Sequence, residues 1–191
     1  MDIAPGWHIV APSQTPPPTG VTIVIGPGAG FGDGTHPSTR LCLQAIAALS
    51  PRPPRAWNML DFGSGSGILA VGAAKLGATV AAIDVDAAAR AHAAANARYN
   101  AVAERITHGE TLADAAGPFT LVVANILRPV LLAFAEGLTE RLAGAGTLVL
   151  SGLLATDVPE VSVRYAALLA GQRPEIHSNG EWRTLAWRLH S

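Results

Sequence analysis

Twelve residues restrict the fold of this chain more than any others: Asn58-Met59-Leu60-Asp61-Phe62-Gly63-Ser64-Gly65-Ser66-Gly67-Ile68-Leu69. An apolar strand runs into three glycines at alternate positions and then into an alanine-rich helical pattern. Glycines there permit a tight turn and let the backbone at Gly63 and Gly65 approach a ligand at the carboxyl edge of a sheet. The nicotinamide pattern G-x-G-x-x-G needs glycine at 68, where Ile68 stands. A plain strand–helix turn is the bland alternative, and the glycines alone do not exclude it.

From Trp57 onward, strand-like and helix-like patterns alternate. Strands are expected at 57–62, 79–84, 104–108, 119–124 and 145–151, with helices near 67–76, 87–99, 127–142 and 157–170. Such alternation predicts a parallel sheet with helices on both faces, a doubly wound α/β fold. The end differs: Arg173–His177 and Trp182–Leu189 flank Ser178-Asn179-Gly180-Glu181, and Asn-Gly is a strong hairpin signal. A mostly parallel sheet closed by a C-terminal antiparallel hairpin is therefore expected. At the other end, residues 1–20 carry Pro5, Pro12, Pro16, Pro17 and Pro18 and read as an extended lead-in, leaving 21–191 as the domain. A β-branched run at 21–25 predicts a strand. A glycine-dense loop, 26–37, follows, and Ser38-Thr39 opens a helical pattern that Pro51-Arg52-Pro53-Pro54 ends.

A length of 191 residues suits one compact domain. With 49% hydrophobic and 14% charged residues the chain is too apolar for disorder, and its net charge of -1 argues against coating nucleic acid or anionic membrane. The single cysteine, Cys42, excludes an intramolecular disulfide and a multi-cysteine metal site, and fits a reducing compartment. No signal-like start is visible. Lys75, Asp84 and Asp86 interrupt the most apolar stretch before it reaches bilayer length, so a cytoplasmic, membrane-free protein is expected. His8, His36, His92, His108, His177 and His190 are dispersed, and no metal site is expected.

Two polar residues stand at expected strand tips. Asp84 ends the second strand about 20 residues beyond the glycines, where a carboxylate can accept both hydroxyls of a ribose. Its alternative role is a helix cap, which Asp86 fills better. Dehydrogenases and methyltransferases would both show such an acid. Asn125 ends the fourth strand, beside the crevice where ligands bind, and offers a donor and an acceptor suited to a neutral amine; capping the next helix is its alternative.

Four motifs then occur in one order: Phe31-Gly32-Asp33-Gly34-Thr35-His36-Pro37-Ser38-Thr39, Asp61 to Ala70, Val123-Ala124-Asn125-Ile126-Leu127, and Ser151-Gly152-Leu153-Leu154. Together they resemble the catalytic half of the bacterial ribosomal protein L-eleven methyltransferases, from about Trp7 to the final strand. The resemblance implies a class I, Rossmann-like methyltransferase fold. It implies S-adenosylmethionine as cofactor and amino groups of a protein, a ribosomal protein of the L-eleven type, as substrate. Thr39, Gly63, Asp84 and Asn125 match the family's cofactor-contacting positions, and Phe31 and Thr35 belong to the loop that closes over the methionine end. Asp33 stands where the family usually has Thr, and Arg128 where a small residue is usual. The resemblance further implies that this chain starts at the linker after the family's N-terminal substrate-recruiting domain.

The sulfonium of that cofactor is already a strong methyl donor, so the enzyme's work is alignment. A lysine amine, with an ordinary pKa near 10.4, must first lose a proton, and a carbonyl acceptor such as that of Asn125 favours the neutral amine. His36 is either a general base or a packed loop histidine. Rival readings are a nucleic-acid amine methyltransferase, a small-molecule methyltransferase, and a cofactor-binding module without turnover. Against the first, Ile126-Leu127-Arg128-Pro129 offers no aromatic face for a flipped base and the chain has no basic stripe.

Overall fold

The computed structural model describes residues 6–48 and 56–189. Pro5, the Pro51–Pro54 segment expected to end the first helix, and His190 lie outside them. Fifteen α and β elements follow in chain order among the described residues. They are β1 (Trp7–Val10), β2 (Val21–Val24), α1 (Pro37–Ala48), β3 (Asn58–Phe62), α2 (Ile68–Lys75), β4 (Thr79–Ile83), α3 (Ala87–Tyr99) and β5 (Ile106–Gly109). The second half adds β6 (Phe119–Asn125), α4 (Arg128–Ala133), α5 (Ala135–Glu140), β7 (Leu142–Leu154), α6 (Val158–Leu168), β8 (Glu175–Asn179) and β9 (Trp182–Arg188).

Seven strands form one sheet in the order β5-β4-β3-β6-β7-β9-β8. Pairings from β5 through β7 are parallel, and β9 runs antiparallel to both β7 and β8. The mostly parallel doubly wound sheet and its closing hairpin are thus as expected. Sheet order reverses between β3 and β6, and a crevice opens at the carboxyl ends of strands where order reverses. Successive side chains of a strand point to opposite faces. Met59, Leu121 and Val123 accordingly enter a core shared with α1 and α2, while Leu60, Val122 and Ala124 enter a second core with Leu131, Leu138 and Tyr165 of α4, α5 and α6. Burial on both faces is why these strands read as near-continuous apolar runs. Among the described residues no helix is long and apolar enough to cross a membrane.

Three local expectations differ from the structure. Residues 7–10, read as lead-in, form β1 in parallel register with β2, and Trp7 and Ile9 are buried in the first core beside Ile23 and Ile25. Pro12, Pro16, Pro17 and Pro18 mark only the exposed connection; the alternation of Trp7 and Ile9 about His8 was the strand signal. The helix expected over 127–142 is two, broken at Phe134, whose ring packs 4.9 Å from that of Phe62. Correspondingly β7 begins at Leu142, opposite Phe119, and slips register before Thr147, where Gly144 and Gly146 weaken helix and regular strand alike.

Candidate active site

A cavity of about 700 Å³ lies at the carboxyl ends of β3, β4 and β6, at the reversal of strand order. That is within the usual size of a small-molecule site. Its wall is mostly apolar, with Phe62, Ile126 and Phe134 among the lining residues, and Asp84 and Asn125 supply polar groups.

The floor is the glycine turn. Gly63 and Ser64 both donate their N–H groups to the Ile83 carbonyl, at 2.8 and 2.9 Å, tying the end of β3 to the end of β4. Gly65 donates to Asp84 Oδ2 at 2.8 Å, and Asp86 N donates to Asp84 Oδ1 at 3.0 Å. The half-buried Asp84 therefore braces the turn as well as lining the cavity. Asp86 accepts from Ala88 N at 2.8 Å and caps α3, as expected.

The residue ahead of helix α2, Gly67, has no side chain to cap it. Asp61 takes that role from a distance: its Oδ2 accepts from Ala70 N at 3.0 Å, while its Oδ1 has no partner among the described residues. Burial, helped by the nearby Asp84 charge and opposed by the Ala70 bond, pushes the Asp61 carboxyl up to about 7. Cys42, also buried, is pushed up to about 12 by the same loss of solvent.

At the tip of β6, Asn125 Nδ2 donates to Thr39 Oγ1 at 3.3 Å. Its Oδ1 is buried and accepts no hydrogen bond from the described residues. An orphaned acceptor costs about 1–3 kcal/mol unless a ligand satisfies it. Behind it stands the Ser151-Gly152 motif. Ser151 Oγ lies 2.6 Å from Thr184 Oγ1 and donates to the Ser38 carbonyl at 3.3 Å, holding the start of α1 against the sheet. Gly152 has φ +79°, and a Cβ there would sit 2.8 Å from the Ile126 carbonyl oxygen, which fixes glycine beside Asn125.

The loop 26–37 crosses the other side of the cavity. Gly30 and the Gly65 carbonyl are in close contact, where a Cβ on Gly30 would come within 2.5 Å, and Ser66 N donates to the Phe31 carbonyl at 2.9 Å. The Phe31 ring is exposed and meets His36 edge-on at 5.4 Å; His36 in turn meets Trp182 at 4.4 Å. His36 Nδ1 lies 2.7 Å from Ser38 Oγ, so the ring is packed and oriented within the loop. Thr35 donates its N–H and hydroxyl to Asp33 Oδ1 at 2.8 and 2.6 Å, and these bonds hold the Asp33 carboxyl below its ordinary range.

Phe31, Gly63, Gly65, Asp84 and Asn125 thus meet around one cavity. Thr39 is buried behind the wall and reaches it through Asn125, and Thr35 turns toward Asp33 outside the wall. Sequence reasoning missed Trp182, which only its place at the start of the last strand marks, and assigned no role to Ser151 or Gly152. Among the described residues no group of three or more His, Cys, Asp or Glu side chains could hold a metal ion.

This geometry has close counterparts. The chain is 38% identical over 185 residues to the ribosomal protein L11 methyltransferase of Dechloromonas aromatica, covering 96% of this chain and 58% of that protein. It is 39% identical to the namesake of Thermus thermophilus, covering 97% of this chain and 72% of the relative. The crystal structure of a ribosomal protein L11 methylase from Lactobacillus delbrueckii subsp. bulgaricus superposes with a TM-score of 0.86 at 31% identity, over 100% of this chain and 98% of that one. A precorrin-6y C5,15-methyltransferase from Geobacter metallireducens shares the fold at a TM-score of 0.65 and 16% identity, over 84% of this chain and 94% of that one. The chain spans less than two thirds of the length of several curated relatives, 58% and 59% in two of them. Residues 1–189 match the family described as "Ribosomal protein L11 methyltransferase (PrmA)", and the chain belongs to that family.

Proposed function

We propose that this chain binds S-adenosylmethionine in the strand-tip cavity and transfers its methyl group to an amino group of a protein of the ribosomal L11 type. The observation that carries the reading is the place of Asn125 on the cavity wall at the tip of β6, with its amide tied to Thr39 and its Oδ1 left without a partner among the described residues. Turned into the cavity, that carbonyl oxygen accepts from a nitrogen that still bears hydrogen, so it suits an amine.

The residues present fit the cofactor. The glycine turn offers close backbone approach, Asp84 offers carboxylate oxygens where a ribose is bound in folds of this class, and Phe31 offers an apolar cover. Bound there, the cofactor supplies an electrophilic methyl on sulfur. The protein's own part is positional. Asn125 orients the incoming amine and favours its neutral form, and the apolar wall of Phe62, Ile126 and Phe134 keeps water from competing. Gly152 leaves the space that Asn125 and Ile126 need, and Ser151 fixes α1, which carries Thr39.

The test pairs calorimetry of S-adenosylmethionine binding with transfer of labelled methyl to purified L11 and, separately, to a whole-cell extract. Asn125→Ala is expected to lose at least tenfold more in turnover than in cofactor affinity. A fall in affinity as large as the fall in rate would make Asn125 chiefly a cofactor contact. Label appearing in RNA or in a small molecule, and none in protein, would replace the substrate class.

A further inference from the structure

We propose that His92 on α3 is a positioning residue for the loop that carries Phe31, acting through a single fixed tautomer of its imidazole. His92 and Asn96 of α3 and its C-cap residue Asn100 recur at four-residue spacing and so fall on one side of the helix. Together they treat the neighbouring chain as a strand would. Asn100 Oδ1 accepts from Val24 N at 2.8 Å and its Nδ2 donates to Val24 O at 2.7 Å. Fully buried Asn96 accepts from Gly26 N at 2.9 Å and donates to the Ser66 carbonyl at 2.8 Å, bridging the loop to the glycine turn. His92 completes the row: its Nε2 lies 2.9 Å from the Gly26 carbonyl, and Gly30 N donates to its Nδ1 at 3.1 Å.

The two partners fix the proton. A carbonyl oxygen only accepts and an amide N–H only donates, so Nε2 carries the hydrogen and Nδ1 is bare. The ring also fills the space beneath Gly28, where a Cβ would come within 2.2 Å of Cδ2, so the loop closes over His92 only with glycine at 28. Beyond Gly30 the chain turns at once into Phe31, whose carbonyl is held by Ser66 N at the glycine turn. The Nδ1 bond is thus the last tether on the α3 side before the residue expected to cover the cofactor. The consequence for binding rests on the function proposed above; the tether itself does not.

Two variants separate the two bonds. Asn at 92 places an acceptor one bond beyond Cγ, where Nδ1 stands, and keeps the Gly30 tether while giving up the reach to Gly26. Gln reaches Gly26 and leaves Gly30 N–H without an acceptor. Nitrogen-15 NMR of the unaltered, cofactor-free chain is expected to show a bare Nδ1 and a protonated Nε2 on His92. Exchange of the Gly30 amide should be at least about threefold faster in His92→Gln than in His92→Asn. Calorimetric affinity for S-adenosylmethionine should stay within about twofold in His92→Asn and fall about three- to tenfold in His92→Gln, the range of one lost hydrogen bond. A protonated Nδ1 in the unaltered chain, or equal Gly30 exchange in the two variants, overturns the proposal. Should the unaltered chain itself not bind the cofactor, the functional reading fails, and the NMR and exchange results still decide the tether.

Discussion

Asp84 serves two structures at once, and its substitution should show both. Its carboxylate accepts from Gly65 N and Asp86 N, and it borders the cavity. Hydrogen bonds to a charged group contribute roughly 1.5–3 kcal/mol, so Asp84→Ala should weaken S-adenosylmethionine binding by about 10–150-fold. Calorimetry on the folded variant checks this, and unchanged affinity would free Asp84 of any cofactor role. Asp61 makes the opposite kind of prediction. Its folded-state pKa near 7 lies above the ordinary 3.8, so between those values the folded chain holds a proton that the unfolded chain has released. Stability therefore declines as pH rises from about 4 to about 7, by at most ~1.4 kcal/mol per unit, and levels off above. Asp61→Asn retains an acceptor for Ala70 N and should flatten that decline. Urea denaturation of both proteins from pH 5 to 8 measures it, and parallel profiles would remove Asp61 as the source. The motif showed Asp61 beside the glycines; that it caps α2 from across the turn became visible only once β3 and α2 were packed together.

Among the elements, β1, paired with the expected strand β2, departs furthest from what the prolines suggest. It stands apart from the seven-stranded sheet, yet Trp7, Ile9, Ile23 and Ile25 belong to the core beneath α1 and α2. Trp7 is 6% exposed and reaches Gly72 of α2. Trp7→Ala should then lower unfolding stability by about 3–5 kcal/mol, as for a large buried aromatic. Loss below ~1 kcal/mol in a denaturant titration would mark β1 as an appendage. The helix α3 was legible as helix, with Asp86 as its cap, but the polar stripe that His92 and Asn96 form with the C-cap residue Asn100 was not. Those residues recur at helical spacing, yet in a sequence they read as a solvated face. Their partners at Val24, Gly26 and Gly30 are backbone groups 62–76 residues away, which no local pattern announces.

At the scale of the whole molecule, alternation of strand and helix patterns and the Asn-Gly turn were enough to determine a mostly parallel sheet with a closing hairpin, because burial on both faces demands apolar strands and tight turns demand glycine. The sequence also placed Gly63, Gly65, Asp84 and Asn125 at strand ends, since a change from apolar run to glycine or polar residue marks where a strand leaves the core. Strand order was a different matter. That β6 lies beside β3, and so brings Asn125 to the glycine turn, depends on packing between segments some 60 residues apart. The same holds for Trp182 meeting His36 and for Ser151 anchoring α1. Local propensity and periodicity fix what each segment becomes. Which side chains face one another across the cavity is decided by contacts between distant segments, and those exist only when the cores on both faces of the sheet have closed.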